Sequence, residues 1–343
     1  MKAIVSHGSG DFRLEDRPLP AMDASDVLVE VHFCGVCGTD IHMYHGKWEL
    51  NPGSTPGHEV SGIVREVGSK VDRISPGDRV AIDPGITCRL CEYCRSSRLH
   101  LCTNRFGMYH YKGGGFAEYT IVPDRQVFRI PDAMPLEWAA LLEPAGCCLH
   151  CMDRAAIKPG ESVAVLGGGA IGLILVQLAL LSGAARVILS EPREDRRELA
   201  ANLGATAAID PIGTDPVAEV RRLAGDGVDV VIESAGRAAT VSQCFDMVKR
   251  GGRVVLFGVN DPETTIEFRP YQIFRNEITI LGSLMSNDSL PRTLELIASG
   301  RLRVAPLISH VLPLEGFHRA IQMHERQEGV KILVHPESSG SGR

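Results

Sequence analysis

The chain has 343 residues, 44% of them hydrophobic and 23% charged, and a formal net charge of −6. That length predicts about two domains, and the acidic balance excludes a nucleic-acid partner. The longest apolar stretch, Ile171 to Leu181, is broken by Gln177 and too short to span a bilayer, so no membrane partner is expected.

Lys2 near the start has no long apolar segment behind it, which predicts a cytoplasmic protein whose ten cysteines stay reduced. The runs VLVEVHFCGVCG, GIVREVGSKV, PGDRVAI and FAEYTIVP alternate like strands, with Gly and Pro as punctuation. They predict an irregular, barrel-like β lobe. From about Glu161 the pattern changes. SVAVL reads as a buried strand followed by a long apolar helix. RVILS is the next strand and EDRRELAANLGA the next helix, and VDVVIES, RVVLFG and ITILGS are further strands. Strands alternating with helices predict an α/β region with a doubly wound parallel sheet, the Rossmann arrangement. After Pro291 come two helix patterns, TLELIASG and GFHRAIQMHERQ, and a last strand, VKILVHP. The final residues, ESSGSGR, read as a disordered tail.

Gly167, Gly169 and Gly172 fit G-x-G-x-x-G, with Ala170 and Ile171 between them, right after a strand and at the start of a helix. That context supports a dinucleotide turn: the first glycine for the bend, the second for approach to the pyrophosphate, the third for close packing. Glu191 ends the next strand about 20 residues on, where a carboxylate accepts from ribose hydroxyls and repels a 2′-phosphate. NAD is therefore expected over NADP. Arg193, Arg196 and Arg197 nearby are either phosphate-attracting or the solvated face of the next helix.

Cys88, Cys91, Cys94 and Cys102 sit in one short loop. Four thiolates at this spacing suit a closed, structural zinc shell; an iron–sulfur cluster is the alternative. Cys37 and His58 offer a soft thiolate and an imidazole for a second, catalytic zinc. Glu59 and Glu143 are carboxylates available to complete it. Cys34-x2-Cys37 lacks a thioredoxin-like context, and Cys147, Cys148 and Cys151 read as small packing residues on a helix.

The order Cys37-Gly38-Thr39-Asp40-Ile41-His42, Gly57-His58-Glu59, the cysteine loop, Leu142-Glu143-Pro144 and the glycine turn resembles the zinc-containing medium-chain dehydrogenases over nearly the whole chain. The sorbitol (polyol) and threonine dehydrogenase branch is the nearest match. The resemblance implies a GroES-like β-rich catalytic domain (1–150 and 291–343) holding two zinc ions, and a Rossmann NAD domain (151–290). It implies that Cys37 and His58 bind catalytic zinc, that Glu59 is a ligand or an adjacent group, and that Glu143 binds the metal directly or through water. Asp40 orients the ligating histidine. Thr39 takes the substrate proton and passes it toward His42. Arg196, Ser234, Gly258, Val259 and Ser283 fall where the family contacts its cofactor.

The expected substrate is a small secondary alcohol: a polyol, cyclitol or amino alcohol. C-G-T-D-x-H-x-Y is similar to threonine dehydrogenases, so a threonine 3-dehydrogenase-like reaction stays open. EPAGCCLHCMDRA is similar to sorbitol dehydrogenases, but Gly282 to Asn287 lacks the arginine with which those enzymes contact polyol. Trp48 and Phe106 to Tyr111 are expected around the substrate. A zinc-binding NAD sensor without turnover is the non-enzymatic alternative. The resemblance implies a homo-oligomer, tetramer or dimer.

Overall fold

The computed structural model describes residues 1–336; the expected tail ESSGSGR lies outside them. The chain divides into two compact units. The first comprises Met1–Pro144, Leu290–Ser299 and the described part of Val304–Arg343. The second comprises Ala145–Ser289 and Gly300–Arg303.

The first unit contains strands β1 (Lys2–Gly8), β2 (Asp11–Asp16), β3 (Asp26–Gly35), β4 (Glu59–Val67), β5 (Arg79–Ile82), β6 (Gly85–Ile86), β7 (Phe106–Gly107), β8 (Tyr119–Pro123) and β9 (Val127–Arg129). After the second unit's β10 (Ser162–Leu166), β11 (Arg186–Ser190), β12 (Ala207–Ile209), β13 (Val228–Glu233), β14 (Val248–Leu256) and β15 (Thr279–Gly282), the first unit resumes with β16 (Ile308–Pro313) and β17 (Lys331–His335). A seven-stranded sheet runs β16-β17-β3-β4-β5-β9, with β8 also paired to β3. Its core is built from Val27, Val29, Val31, Val60, Val64, Val80, Ile82, Ile332 and Val334, all buried. Val27, Val29 and Val31 face one side of β3, as a period of two requires.

The second unit is a six-stranded parallel sheet ordered β12-β11-β10-β13-β14-β15. This is the doubly wound order, and its switch point falls between β10 and β13. β10, β11 and β13 read as nearly unbroken buried runs, which is what helices on both faces of a parallel sheet demand. Gly167, Glu191 and Ser234 therefore all follow carboxyl ends of neighbouring strands, where ligands of such sheets bind. No helix among the described residues is long and apolar enough to cross a membrane.

Candidate active site and metal centres

The two ends of the cysteine loop are closed by the short antiparallel pair β6–β7. Inside it, Cys91 and Cys94 sulfurs lie 3.5 Å apart, Cys102 and Cys88 3.5 Å, and Cys88 and Cys94 4.0 Å. A tetrahedral ion with bonds of about 2.3 Å spaces its sulfurs about 3.8 Å apart, so the set has the dimensions of a zinc shell. The backbone amides of Cys88 and Cys91 also point at cluster sulfurs, each at 3.4 Å. Backbone amides lower the Cys91 thiol to about 6, whereas partial burial and the Cys102 and Cys91 sulfurs push Cys94 up to about 12. Opposite shifts in one cluster show that these thiols do not ionise independently.

The second centre is assembled from strand ends. Chain leaving β3 reaches Cys37, which caps the helix Gly38–Tyr44. Gly57, at φ +96°, turns the chain into β4; a Cβ there would lie 2.8 Å from both Cys34 Sγ and the Phe116 backbone nitrogen. That turn delivers His58 and Glu59 beside Cys37, with ligand atoms of all three within 4.8 Å of one another. His58 and Glu59 are buried. Asp40 accepts a hydrogen bond from the Cys37 amide at 2.9 Å, and its other oxygen stands 3.6 Å from His58 Nδ1. The latter is an ion-pair contact, too long for a hydrogen bond; it leaves Nε2 as the nitrogen for a metal. Burial disfavours the His58 imidazolium, but Asp40 and Cys37 outweigh it and hold its pKa well above the usual histidine value. A thiolate, an imidazole and a carboxylate gathered out of solvent fit zinc and leave one coordination position for another ligand.

Glu143 is not part of this group of three. It lies in the first turn of the helix Leu142–Ala155, and its charge is felt at Lys331 together with those of Glu59 and Cys37. Thr39 and His42 share the helix that follows Cys37, both half-buried. The His42 ring stacks on Trp48, centroids 5.1 Å apart, because the amides of Lys47 and Trp48 both bond back to the His42 carbonyl. Tyr109 is raised by burial and senses His58, Arg105, Asp40 and Cys37. Of the segment Phe106–Tyr111, it is the residue tied electrostatically to this centre. Tyr111 instead donates to Asp26 at 3.0 Å, away from it.

Lys331 was absent from the expectations. Its ammonium donates to both Glu59 oxygens, at 2.8 and 2.7 Å, and to the Val36 carbonyl at 3.0 Å. The only sequence signal for it is one cation in the otherwise apolar run VKILV.

In the second unit, Gly167 has φ +101°, and a Cβ on Gly172 would lie 1.8 Å from the Gly167 carbonyl, so neither tolerates a side chain. A Cβ on Gly169 would meet nothing. The helix Ala170–Leu181 starts there without a side-chain cap, which leaves its N-terminal end available for a phosphate. Glu191 is buried and accepts from the Gly168 amide at 2.6 Å and the Arg193 amide at 2.9 Å. The Ser234 hydroxyl donates to the Leu166 and Gly167 carbonyls and braces the turn from beneath. Gly258 donates its amide to the Glu233 carbonyl, and a Cβ on it would press into the Gly236 amide at 2.4 Å. Val259 beyond it is exposed, while the Ser283 amide binds the Leu256 carbonyl. Cys148 and Cys151 are fully buried, and burial drives the Cys151 thiol up to about 12. Both are packing groups.

Residues 23–132 match the alcohol dehydrogenase GroES-like domain and residues 170–299 the zinc-binding dehydrogenase domain. The chain is 34% identical to sorbitol dehydrogenase of Bacillus subtilis over 98% of its length and 97% of that protein's. It is 33% identical to D-arabinitol dehydrogenase 1 of Uromyces fabae, covering 98% and 97%. A structure described as a zinc-binding dehydrogenase from Sinorhizobium meliloti 1021, bound to NADP, superposes with a TM-score of 0.95 at 41% identity, covering 98% of this chain and 99% of that one. The 2R,3R-butanediol dehydrogenase of Bacillus subtilis superposes with a TM-score of 0.90 at 30% identity, covering 98% and 99%.

Proposed function

Because this chain belongs to the zinc-containing medium-chain alcohol dehydrogenases, we propose that it oxidises a small secondary alcohol (a polyol, cyclitol or amino alcohol) with NAD as hydride acceptor. The observation that carries the reading is the gathering of Cys37, His58 and Glu59 within 4.8 Å, directly before the helix that bears Thr39 and His42. Zinc bound there acts as a Lewis acid that lowers the pKa of a substrate hydroxyl. Cys37, His58 and Glu59 would hold it, Glu143 would stand by as a further carboxylate, and Asp40 would fix the His58 ring. Thr39 accepts the hydroxyl proton, and His42, steadied by Trp48, delivers it to solvent. A hydroxyl relay moves the proton without placing a fixed charge beside a hydride acceptor. Cys88, Cys91, Cys94 and Cys102 would hold a second, structural zinc.

The relatives named above act on sorbitol, D-arabinitol and 2R,3R-butanediol, all secondary alcohols with a neighbouring hydroxyl. A vicinal diol unit is therefore the substrate feature proposed here. Sorbitol itself is not favoured, since Gly282 to Asn287 carries no arginine. The test is a panel of polyols, cyclitols and amino alcohols with NAD, followed by absorbance of the reduced cofactor. Turnover of a vicinal diol is expected; silence across the panel from zinc-loaded protein would leave an NAD sensor instead.

NAD is favoured over NADP although the Sinorhizobium neighbour holds NADP. The Glu191 carboxylate stands where the ribose is expected. The nearby arginines are engaged: Arg193 forms a two-pronged bond with Asp195, and Arg197 serves the carbonyls of Glu191 and Pro192. Arg196 is buried on the helix Glu194–Asn202. Glu191→Ala should raise the KM for NAD about 10- to 100-fold, the value of charge-assisted hydrogen bonds, and narrow the preference over NADP. Unchanged constants for both dinucleotides would remove Glu191 from the ribose site.

We also place the protein in the cytoplasm and read it as a homo-oligomer. Among the described residues β15 pairs only with β14, which leaves its outer edge open there; Ile280 on it and Tyr271, Phe274 and Leu284 nearby are exposed. An open apolar edge invites pairing with a second copy of the same strand. Ile280→Lys should convert the oligomer to a smaller species in light scattering, and a monomeric wild type would refute this assignment.

A further inference from the structure

Lys331 is 5% exposed and stands on a strand otherwise made of Ile332, Leu333, Val334 and His335. A buried ammonium must be matched by acceptors. Here all three of its protons are used, on Val36 and on both oxygens of Glu59. The partner is equally specialised. Glu59 is 1% exposed and pairs across the sheet with Gly35, and a Cβ on Gly35 would lie 1.9 Å from Glu59 Oε2. The carboxylate therefore occupies the space that any other residue on β3 would fill. Three separate strands, β3, β4 and β17, contribute to this one arrangement.

The surroundings explain why it exists. The donor atoms of Cys37, His58 and Glu59 lie within 4.8 Å of one another, with Asp40 3.6 Å from His58 Nδ1. Lys331 is a cation in direct contact with this donor set, 2.7 Å from Glu59.

We infer that Lys331 is a positioning residue of the catalytic metal site: it fixes the Glu59 carboxylate against Cys37 and His58 in the orientation a metal needs. The inference rests on the zinc reading of that site. Glu59 has lone pairs left on each oxygen, so its bond to Lys331 is compatible with a bond to the ion. Without the ammonium, the buried carboxylate loses both its charge partner and its orientation.

The test is the rate at which a chelator removes each zinc from purified protein, read with a metal-sensitive dye, alongside kcat and KM. Lys331→Met should speed release of one zinc by about 10- to 100-fold, the usual effect of losing an orienting partner of a metal ligand. Release of the other zinc should be unchanged, and Lys331→Arg should restore most of the retention. The double variant Lys331→Met with Glu59→Gln should lose zinc no faster than Glu59→Gln alone, because both changes act through one contact. That double variant also replaces the ion pair with neutral groups, so it serves where Lys331→Met alone fails to fold. Wild-type release kinetics in Lys331→Met, or effects of the two substitutions that multiply, would overturn the inference while leaving the zinc reading intact. A wild-type chain that binds only the zinc of the four-cysteine loop would overturn both.

Discussion

Cys37→Ser or His58→Ala should abolish turnover, by about a thousandfold or more, while the chain stays folded and still binds NAD. The magnitude follows from what is removed. A Lewis acid that stabilises an alkoxide is worth several kcal/mol of transition-state energy, and about 4 kcal/mol is three orders of magnitude in rate. Both residues lie beyond strand ends of the seven-stranded sheet, Cys37 at a helix cap after β3 and His58 just before β4, and neither belongs to the apolar core of that unit. The glycine turn and Glu191 belong to the other compact unit, so cofactor binding should survive. Kinetics, zinc content and NAD titration on the same preparations check this. The expected result is one zinc per chain, near-normal NAD affinity and no alcohol oxidation.

Cys91→Ser should do the opposite: its damage falls on folding. The loop it sits in has almost no apolar burial of its own; among its cysteines only Cys102 is buried, and Leu90 beside it is exposed. Order in such a segment must come from the metal, and structural zinc contributes on the order of 10 kcal/mol where it organises a small unit. Losing one of four ligands should cost about 3–5 kcal/mol and lower Tm by about 10 °C. Calorimetry with zinc analysis reads both. A Cys91→Ser chain as stable as wild type would show that the four thiols do not hold a structural ion.

The two substitutions separate the sites because the sites differ in how the sequence encodes them. The four-cysteine loop and the glycine turn are local: their spacing within a few residues fixes their geometry. Both were legible from the chain alone. So were the strands around them, since the runs SVAVL, RVILS and VDVVIES are mostly apolar. The hairpin β1–β2 was not, because the segment DFRLED buries only Phe12 and its charges mask the alternation. The active centre was half legible. Cys37, His58 and Glu59 were visible as residue types, but nothing local tells that Glu59 meets Lys331, 272 residues later. Sheet order decides that contact: β17 lies beside β3, and β3 beside β4. Glu143 illustrates the converse. Its place before the second unit made it a candidate ligand, yet the three-membered donor cluster forms without it.

Asp40 shows the same dependence on tertiary structure. Its bond to the Cys37 amide, three residues back, is a local helix-start feature. Its second contact, to His58, exists only because Gly57 bends the chain back at positive φ.

The most direct measurement is metal content set against activity in one chelator titration of the wild-type chain. Removal of the zinc held by Cys37, His58 and Glu59, with the four-cysteine loop still loaded, should abolish oxidation of a vicinal diol by NAD, leave the circular dichroism spectrum unchanged, and be reversed by adding zinc back. Full turnover by a chain stripped to a single zinc in the four-cysteine loop, or by one carrying no zinc, would contradict the account.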